Sequence, residues 1–367
     1  MIINIDMTKD NIEKVLSFVR LAFTSGISNK DKIHLIKKFA RGSNSYDFNS
    51  SLSSFNYSSC QKKLAALEQV CKDWLCKSKL NHIICYDDEF YPSNLKLLYD
   101  PPIVVFCQGN LNLLRYKSIA IVGSRVASDY SKDIAHSFSS AFSSIGVSPI
   151  SGLAKGIDTV VAQAALRNRA STIAVIGNGH EITYPKSNKQ LQYKLKDLGL
   201  ILSEYPPYTP PLPINFPRRN RIISALSEGV CVIEAKLKSG SLITAKFGLD
   251  LGKDIFVVPG PIVTSSYSGS HNLIQNGAKL VMHHNDIIEE MPQLLRVSSN
   301  PQDNVIKAMY QCYYHISNKD ISYNELKNIL ESNEDDLNSA LLELELYNFI
   351  HHQRHGYSLA RLYKSIK

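Results

Sequence analysis

From Ser118 onward, short apolar segments alternate with amphipathic segments, and this alternation limits the possible folds more than any other feature of the chain. Apolar runs such as SIAIV (118–122) and STIAVI (171–176) are separated by stretches such as YSKDIAHSFSSAFSSI (130–145). Short apolar strands with helices between them are typical of a parallel β-sheet that is covered by helices on both faces. The sequence therefore predicts a doubly wound α/β domain.

The segments before this domain have a different pattern. Three stretches within residues 1–80 place apolar residues three or four positions apart, which predicts a small helical domain. A serine- and asparagine-rich stretch, SNSYDFNSSLSSFNYSS (43–59), interrupts these helices and predicts a loop. Residues 81–117 read as a lead-in segment that includes one strand, IVVFC, so that the α/β domain as a whole spans 81–292.

The segments after the α/β domain indicate a third unit. Residues 293–303 form a predicted linker, and residues 304–367 contain three helical segments followed by an alternating pattern around His355-Gly356. Ser322 and Glu325 have the spacing of a capping box at the start of the second helix. Three helices followed by a hairpin predict a winged helix.

Charge and cysteine content narrow the function classes. The formal net charge is +8, with 20 basic and 13 acidic residues in 115–300 but seven and nine in 301–367. An anionic partner is therefore expected at the α/β domain, although an ordinary, slightly basic cytosolic protein explains the charge equally well. No run of 18 apolar residues, no secretory signal and no C-x-x-C motif occurs among the seven cysteines. These features predict a cytoplasmic protein without a metal or cofactor.

Glycine-containing turns follow three of the predicted strands, at the sheet edge where doubly wound folds bind ligands. Glycine lets backbone N–H groups approach an anion closely, and helix N-termini add partial positive charge. A single glycine after a strand usually makes only a tight turn, but three such turns together favour anion binding. The candidate residues are Gly123, Ser124, Arg125, Ser151, Gly152, Lys155, Gly156, Ser239, Gly240 and Ser241. None of the turns matches a dinucleotide fingerprint or a Walker sequence.

The segment FPRRNR (216–221) combines an aromatic ring, an amide and three guanidinium groups, which suits a sugar–phosphate chain with exposed bases. Its candidate residues are Phe216, Arg218, Arg219, Asn220 and Arg221. Alternatively, Phe216 belongs to the core and some arginines pair with Glu204, Glu228 or Glu234; we expect at least one arginine to pair in this way. The proline-rich stretch before it predicts a stiff loop over a site.

Evidence for catalysis is sparse. The sequence contains neither H-E-x-x-H nor G-x-S-x-G. Asp158 and Glu204 form a conceivable carboxylate pair at the sheet edge, but Asp158 also suits the first turn of its helix. A binding protein is therefore favoured over an enzyme. The third helix of the predicted winged helix carries five acidic residues and no lysine or arginine, which favours packing or protein contact over DNA binding.

At these motifs the sequence resembles the DNA-processing protein A family (DprA/Smf) over about residues 81–291. The resemblance rests on AIVGSR, SGLAKGID, LSEYPP, FPRRNRIIS, VIEAKLKSGSLITA and HNLIQNGA. It implies an extended Rossmann-like domain that binds single-stranded DNA, dimerises and loads the RecA recombinase during natural transformation. The N-terminal helices are similar to a sterile-alpha-motif-like domain, and the C-terminal segment resembles the family's winged helix.

The resemblance assigns phosphate binding to the turn at Arg125 and to the turn at Lys155, and DNA binding to the FPRRNR segment. Gln163 departs from the family pattern, which usually has Ala-His there, and Lys253 replaces a usual arginine. We therefore predict a non-enzymatic single-stranded-DNA binder in which both Arg125 and Arg219 contact phosphates. Two alternatives are a phosphoribohydrolase of a related superfamily, whose glycine motif is incomplete at Pro259-Gly260, and a purely structural interaction protein.

Overall fold

A computed structural model places most of the chain. It describes residues 8–42, 48, 61–166, 168, 171–295, 304–318, 320–330, 333–346, 349–353 and 356–359. The predicted loop 43–59, apart from residue 48, and most of the predicted linker 293–303 lie outside these ranges.

The three helices predicted near the N-terminus are confirmed. They are α1 (Lys9–Phe23), α2 (Asn29–Gly42) and α3 (Gln61–Lys77). Buried side chains of these helices, including Phe18 and Trp74, pack in one cluster with Ile83 and Phe106 of the neighbouring sheet. The helical unit is therefore held against the sheet by an apolar contact.

The central unit is a nine-stranded sheet. Its strands are β1 (Asn81–Cys85), β2 (Val104–Gly109), β3 (Ser118–Val122), β4 (Ser148–Ser151), β5 (Ile173–Ile176), β6 (Leu200–Ser203), β7 (Val230–Val232), β8 (Ile255–Val257) and β9 (Lys279–Leu280). The order across the sheet is β1-β2-β6-β5-β4-β3-β7-β8-β9. In this order, all the strands from β6 across to β9, including β5, β4 and β3, pair in parallel with their neighbours, as the alternating pattern predicted. The chain adds strands on one side of β3 and then returns to add β7 on the other side, which creates a topological switch point.

One edge of the sheet differs from the prediction. Strand β2 pairs antiparallel with β6, and β1, which the sequence did not indicate as a strand, pairs antiparallel with β2. The connection between β1 and β2 contains a short 3-10 helix and two consecutive prolines instead of a crossover α-helix, so a parallel pairing is not imposed.

Helices cover both faces of this sheet. They are α4 (Asp129–Ser144), α5 (Ile157–Ala165), α6 (Lys189–Leu198), α7 (Asn215–Leu226), α8 (Gly240–Asp250), α9 (Ser268–Gln275) and α10 (His284–Glu290). Successive residues of β3 point to opposite faces of the sheet and so belong to different cores. Ile121 packs in the cluster with Phe142 of α4, whereas Val122 packs in the cluster with Ile223 of α7. The predicted Rossmann-like α/β architecture is confirmed.

The C-terminal unit contains α11 (Asn304–Asn318), α12 (Tyr323–Ile329), α13 (Glu334–Leu346) and the hairpin of β10 (Ile350–Gln353) and β11 (Gly356–Leu359). The predicted capping box at Ser322 is present. The ring of Phe349 lies 4.6 Å from that of His284, so this unit packs on the central one. The order of elements is the expected one, and the winged helix itself stays a prediction.

Within the described ranges, no helix combines the length and the apolarity needed to cross a lipid bilayer.

Candidate nucleic-acid interface

An open cleft of about 610 Å³ lies at the carboxyl ends of the central strands, at the switch point between β3 and β7. The turn after β3, the segment after β7, the first turns of α7 and the proline-rich stretch surround it. It is lined by Val122, Gly123, Ser124, Arg125, Val126, Ala154, Asp158, Tyr184, Pro211, Pro213, Phe216, Pro217, Arg219, Asn220, Ile223, Lys236, Lys238, Ser239, Gly240, Ser241, Ile243 and Thr244. All three predicted glycine turns and part of FPRRNR therefore meet in one place, although the SGLAKGID turn reaches the cleft only through Ala154 and Asp158.

Three cations stand exposed around this cleft: Arg125, Lys236 and Lys238. Among the residues that the structure describes, none of the three takes part in an ion pair with a carboxylate. Their positive charge is therefore directed to the solvent at the mouth of the cleft.

Aromatic rings stand beside these cations. The guanidinium carbon of Arg125 lies 5.8 Å from the ring centre of Phe216, within the range of a cation–π contact. The ring of Tyr184 lies 5.2 Å from that of Phe216, and the two ring planes are tilted by 37°. A flat aromatic surface next to an exposed guanidinium can take a nucleobase on the ring and a phosphate on the cation.

Arg219 also lines the cleft, but it is bonded inward. Its side chain is 4% exposed. Its Nη1 donates to the carbonyl of Gly152 at 2.6 Å and also to that of Val175, and its Nε donates to Oδ1 of Asn220 at 3.1 Å. Burial lowers the pKa of Arg219 to about 10, which leaves the guanidinium protonated at neutral pH. The amide of Asn220 in turn donates to the carbonyl of Gly240 at 3.1 Å. These two side chains tie the turn at Gly152 to the turn at Gly240.

Part of the backbone of the SGLAKGID turn is hydrogen-bonded to a side chain of the same turn. The carboxylate of Asp158 accepts hydrogen bonds from the N–H groups of Gly152 at 3.1 Å and Ala154 at 3.3 Å. Burial raises the pKa of Asp158, and the charge of Arg219 opposes that shift. Gly156 has a φ of 76°, and a Cβ there would overlap the carbonyl of Ser124. The residue must therefore be glycine for the two turns to pack together.

None of the four predicted residues of this turn is among the residues that line the cleft. Ser151 donates its hydroxyl to the carbonyl of Ile121 at 2.8 Å and is buried. Lys155 is exposed on the outer side of the turn.

The expectation that at least one arginine of FPRRNR pairs with an acidic residue is confirmed. Nη2 of Arg221 donates to both carboxylate oxygens of Glu204, at 2.5 and 2.7 Å, in a largely buried pair. Burial raises the pKa of Glu204, while Arg221 favours its charged form. Arg218 is exposed, and its guanidinium lies 3.6 Å from Asp100. Glu228 and Glu234, the other suggested partners, accept hydrogen bonds from Lys117 and Ser128 instead.

The reason for these different environments is that FPRRNR is helical. The sequence predicted a helix only from Arg221, but α7 begins at Asn215, and Pro217 fits its first turn. Successive residues of a helix point about 100° apart, whereas residues three or four apart share a face. Phe216, Arg219 and Asn220 accordingly face the cleft, while Arg221 turns into the interior.

Three cleft residues whose side chains suit a nucleic acid were not predicted from the sequence: Tyr184, Lys236 and Lys238. The two lysines stand two positions apart between a strand and a glycine turn, and this spacing was a usable signal. Tyr184 gave no comparable signal, because its approach to Phe216 depends on how two distant loops pack.

Lys253, where the family usually has arginine, lies at the other end of α7. Its ammonium donates to the carbonyls of Ser224 and Ala225, both at 2.7 Å, and to that of Ser227. It therefore binds carbonyls at the C-terminal end of the helix that carries Phe216 and Arg219.

The suggested carboxylate pair is not assembled for catalysis. Asp158 is bonded to its own turn and Glu204 to Arg221, and only Asp158 lines the cleft. Within the described part of the chain, no group of three His, Cys, Asp or Glu residues has the geometry of a metal site.

The family model of DNA recombination-mediator protein A matches residues 82–292. The chain belongs to this family. That places it among recombination-related DNA-processing proteins.

The sequence is similar to that of the DNA processing protein DprA of Streptococcus pneumoniae, with 46% identity over 204 residues that cover 55% of this chain and 72% of that protein. Protein Smf of Escherichia coli is 43% identical over 212 residues, which cover 58% of this chain and 57% of that protein. This chain therefore aligns with little more than half of the E. coli relative.

Two solved structures share the fold. The X-ray structure of DprA from S. pneumoniae superposes with a TM-score of 0.62 and 34% identity, covering 78% of this chain and 99% of that chain. A structure of DNA processing protein A from Helicobacter pylori, whose subject is a single-stranded DNA binding mode, has a TM-score of 0.53 and 29% identity, covering 58% and 96%.

Proposed function

We propose that this protein is a non-enzymatic recombination mediator that binds single-stranded DNA in the cleft at the switch point and passes the strand to the RecA recombinase during natural transformation. The observation that carries the proposal is that three exposed cations, Arg125, Lys236 and Lys238, line the same cleft as the ring of Phe216, with Arg125 beside that ring. Family membership and the subject of the H. pylori structure, a single-stranded DNA binding mode, support the same ligand.

The cleft suits a single strand better than a duplex. Cations at its mouth attract phosphates of either form, and this contribution is independent of sequence. The rings of Phe216 and Tyr184 lie within the cleft, so only an unpaired base can stack on them. Binding is therefore expected to favour single strands, with little sequence preference.

We divide the residues of the proposed site into those that contact DNA and those that hold other groups in position. Arg219, Asn220 and Arg221 act from within, by holding the turns and α7 in place. Ser151, Gly152 and Gly156 belong to the same buried framework. The proposed contact residues are Gly123, Ser124, Arg125, Phe216, Lys236, Lys238, Ser239, Gly240 and Ser241, with Lys155 and Arg218 as outer contacts.

The proposal includes a homodimer formed through the α/β domain, a surface that contacts RecA and a cytoplasmic location. Sedimentation of the purified protein tests the dimer. Delivery to RecA is tested by whether the protein speeds RecA filament assembly on a coated single strand.

A fluorescence-anisotropy titration of a labelled homopolymeric strand, single and duplexed, at several salt concentrations tests DNA binding. The wild type should bind the single strand more tightly and with a steep salt dependence. Arg125→Ala should reduce that slope by roughly 0.7, the value for one phosphate contact. Lys63→Ala removes the same charge from exposed α3 and is the matched control. Equal slopes for both variants would place the DNA elsewhere, and no binding by the wild type would refute the function.

A further inference from the structure

A second hollow, of about 500 Å³, is formed by the continuation of the segment that carries Arg125. Val122 to Val126 line the cleft, whereas Ser128 and Tyr130 line this hollow. Opposite them stand Pro259, Pro261, Thr264 and Tyr267. We call this site the Tyr130 hollow.

The walls of the Tyr130 hollow are held in place by hydrogen bonds. The hydroxyl of Tyr267 lies 3.1 Å from the hydroxyl of Ser128 and 2.8 Å from that of Ser131. Tyr130 donates its hydroxyl to the carbonyl of Pro259 at 3.4 Å. A Cβ on Gly260 would overlap the ring of Tyr267, so glycine is required for this ring to lie against the backbone. The site is thus formed before a ligand enters.

The chemistry of the walls selects the ligand. All the residues that line the hollow are uncharged, so a phosphate would lose its hydration without gaining a counter-charge. The exposed ring of Tyr130 and the proline faces instead suit a flat apolar ring. The hydroxyl of Thr264 donates to the carbonyl of Pro261, and its oxygen accepts from Ser266, which leaves one lone pair for an N–H of a hydrogen-bonding edge. A nucleobase has both properties.

The hollow lies beside the cleft along the chain, because Val126 lines the cleft and Ser128, two positions on, lines the hollow. Ser128, which lines the hollow, donates its N–H and hydroxyl to the buried carboxylate of Glu234 at 3.0 and 2.9 Å. This contact fixes the segment that separates the two sites to the end of β7. A strand that places a phosphate at Arg125 therefore runs beside a segment whose next residues line a preformed apolar site.

We infer that the Tyr130 hollow is a second base-binding subsite for the strand held in the cleft, so that bases on either side of the Arg125 phosphate are bound in different sites. The inference rests on the proposed function. It adds Tyr130 and Thr264 to the binding surface, with Tyr267 buried behind them as a fixed part of the wall.

Tyr130 is half exposed and offers a direct test. Tyr130→Leu removes the stacking face, whereas Tyr130→Phe keeps the ring and loses only the hydroxyl. We expect Tyr130→Leu to weaken binding of a short oligothymidylate about tenfold, and Tyr130→Phe to stay within about twofold of the wild type. Oligonucleotides with one abasic position, moved along the strand, should show two sensitive positions with the wild type and one with Tyr130→Leu.

A blocking variant provides an independent test. Thr264→Trp fills the hollow, while Val263→Trp adds the same ring to an exposed neighbour outside it. Weaker binding by Thr264→Trp alone supports the subsite. If Tyr130→Leu matches Tyr130→Phe and the two tryptophan variants match each other, while the wild type binds, the subsite is refuted and the proposed function stands. If the wild type binds no strand, both are refuted.

Discussion

Two groups of cations lie at the cleft and behind it, and their surroundings are opposite. Arg125, Lys236 and Lys238 lie on turns and are exposed to solvent. Arg219 and Arg221 lie on α7, are almost fully buried and bond to carbonyls or to Glu204. Residues of the same charge therefore divide into a group that remains available to a ligand and a group that makes its hydrogen bonds within the fold.

The difference shows that a cluster of arginines in a sequence does not by itself mark a phosphate site. A helix directs neighbouring arginines to different sides, and a buried guanidinium is stable only when it is bonded. The three cations on turns instead lie at the protein surface, where their charges stay in water. The following predictions test this division, from the largest expected effect to the smallest.

The largest effect is expected at the buried pair. Arg221→Met leaves the carboxylate of Glu204 buried without its partner and should lower the free energy of unfolding by about 3–5 kcal/mol. Urea denaturation measures the change. Adding Glu204→Leu removes the stranded charge and should restore most of the loss, while an unchanged free energy in the single variant would contradict the structural role.

Arg219→Met should lower the free energy of unfolding by about 2–3 kcal/mol, because carbonyls inside the domain lose a charged donor. The slope of DNA affinity against salt concentration should stay unchanged, since Arg219 is bonded inward and the proposed phosphate contacts are the exposed cations at the mouth of the cleft. Salt titrations by fluorescence anisotropy measure that slope. A decrease of roughly 0.7 would make Arg219 a phosphate contact, as the sequence alone suggested.

His180 is a buried histidine whose pKa is lowered by its surroundings. In the described part of the structure, no carboxylate is hydrogen-bonded to its ring. It is 1% exposed, and its Nε2 lies 3.2 Å from the carbonyl of Ile201. Burial lowers its pKa to about 4, below the unfolded value of about 6.5. The unfolded chain therefore takes up the proton first, and stability that is complete above pH 6.5 is lost as the pH falls towards 4.

Between pH 7 and pH 5 this residue should contribute a loss of about 2 kcal/mol in the free energy of unfolding. Urea denaturation at both pH values, followed by circular dichroism, measures it. His180→Leu should lose correspondingly less on acidification, and an equal loss in the variant would assign the pH dependence to other groups.

The smallest change in stability is expected for the exposed cations. The double variant Lys236→Ala, Lys238→Ala should alter the free energy of unfolding by less than about 0.5 kcal/mol. It should nevertheless reduce the salt slope of single-strand binding by about 1.4, for two phosphate contacts. Lys246→Ala, on the exposed side of α8, serves as the control. A slope equal to that of the control would remove the lysines from the DNA site.

Most of the fold was predictable because its signals are local. The apolar run of β3 and the capping box at Ser322 depend on residues close in sequence, and both elements are present. Strand β1 was missed because its partner lies about 25 residues away, beyond a proline-rich connection. The antiparallel edge is a property of that connection and not of the strands themselves.

The site was predictable in part. The turn at Arg125 was found because glycine after a strand is a local signal for ligand approach. The burial of Arg219 and Arg221 was not foreseen residue by residue, because it follows from the start of α7 six residues before the predicted one and from the position of Glu204. Tertiary packing decides which charges reach the solvent, and no local pattern records it.

Trp74 is the chain's single tryptophan, and it lies where α3 meets the central sheet. Its indole N–H donates to Glu181 at 3.2 Å, and its ring lies 5.2 Å from that of His180. The protein thus carries one built-in optical reporter at the junction of its first two units. Any movement of the N-terminal helices against the sheet, including one that accompanies ligand binding, should be visible in its emission without a label.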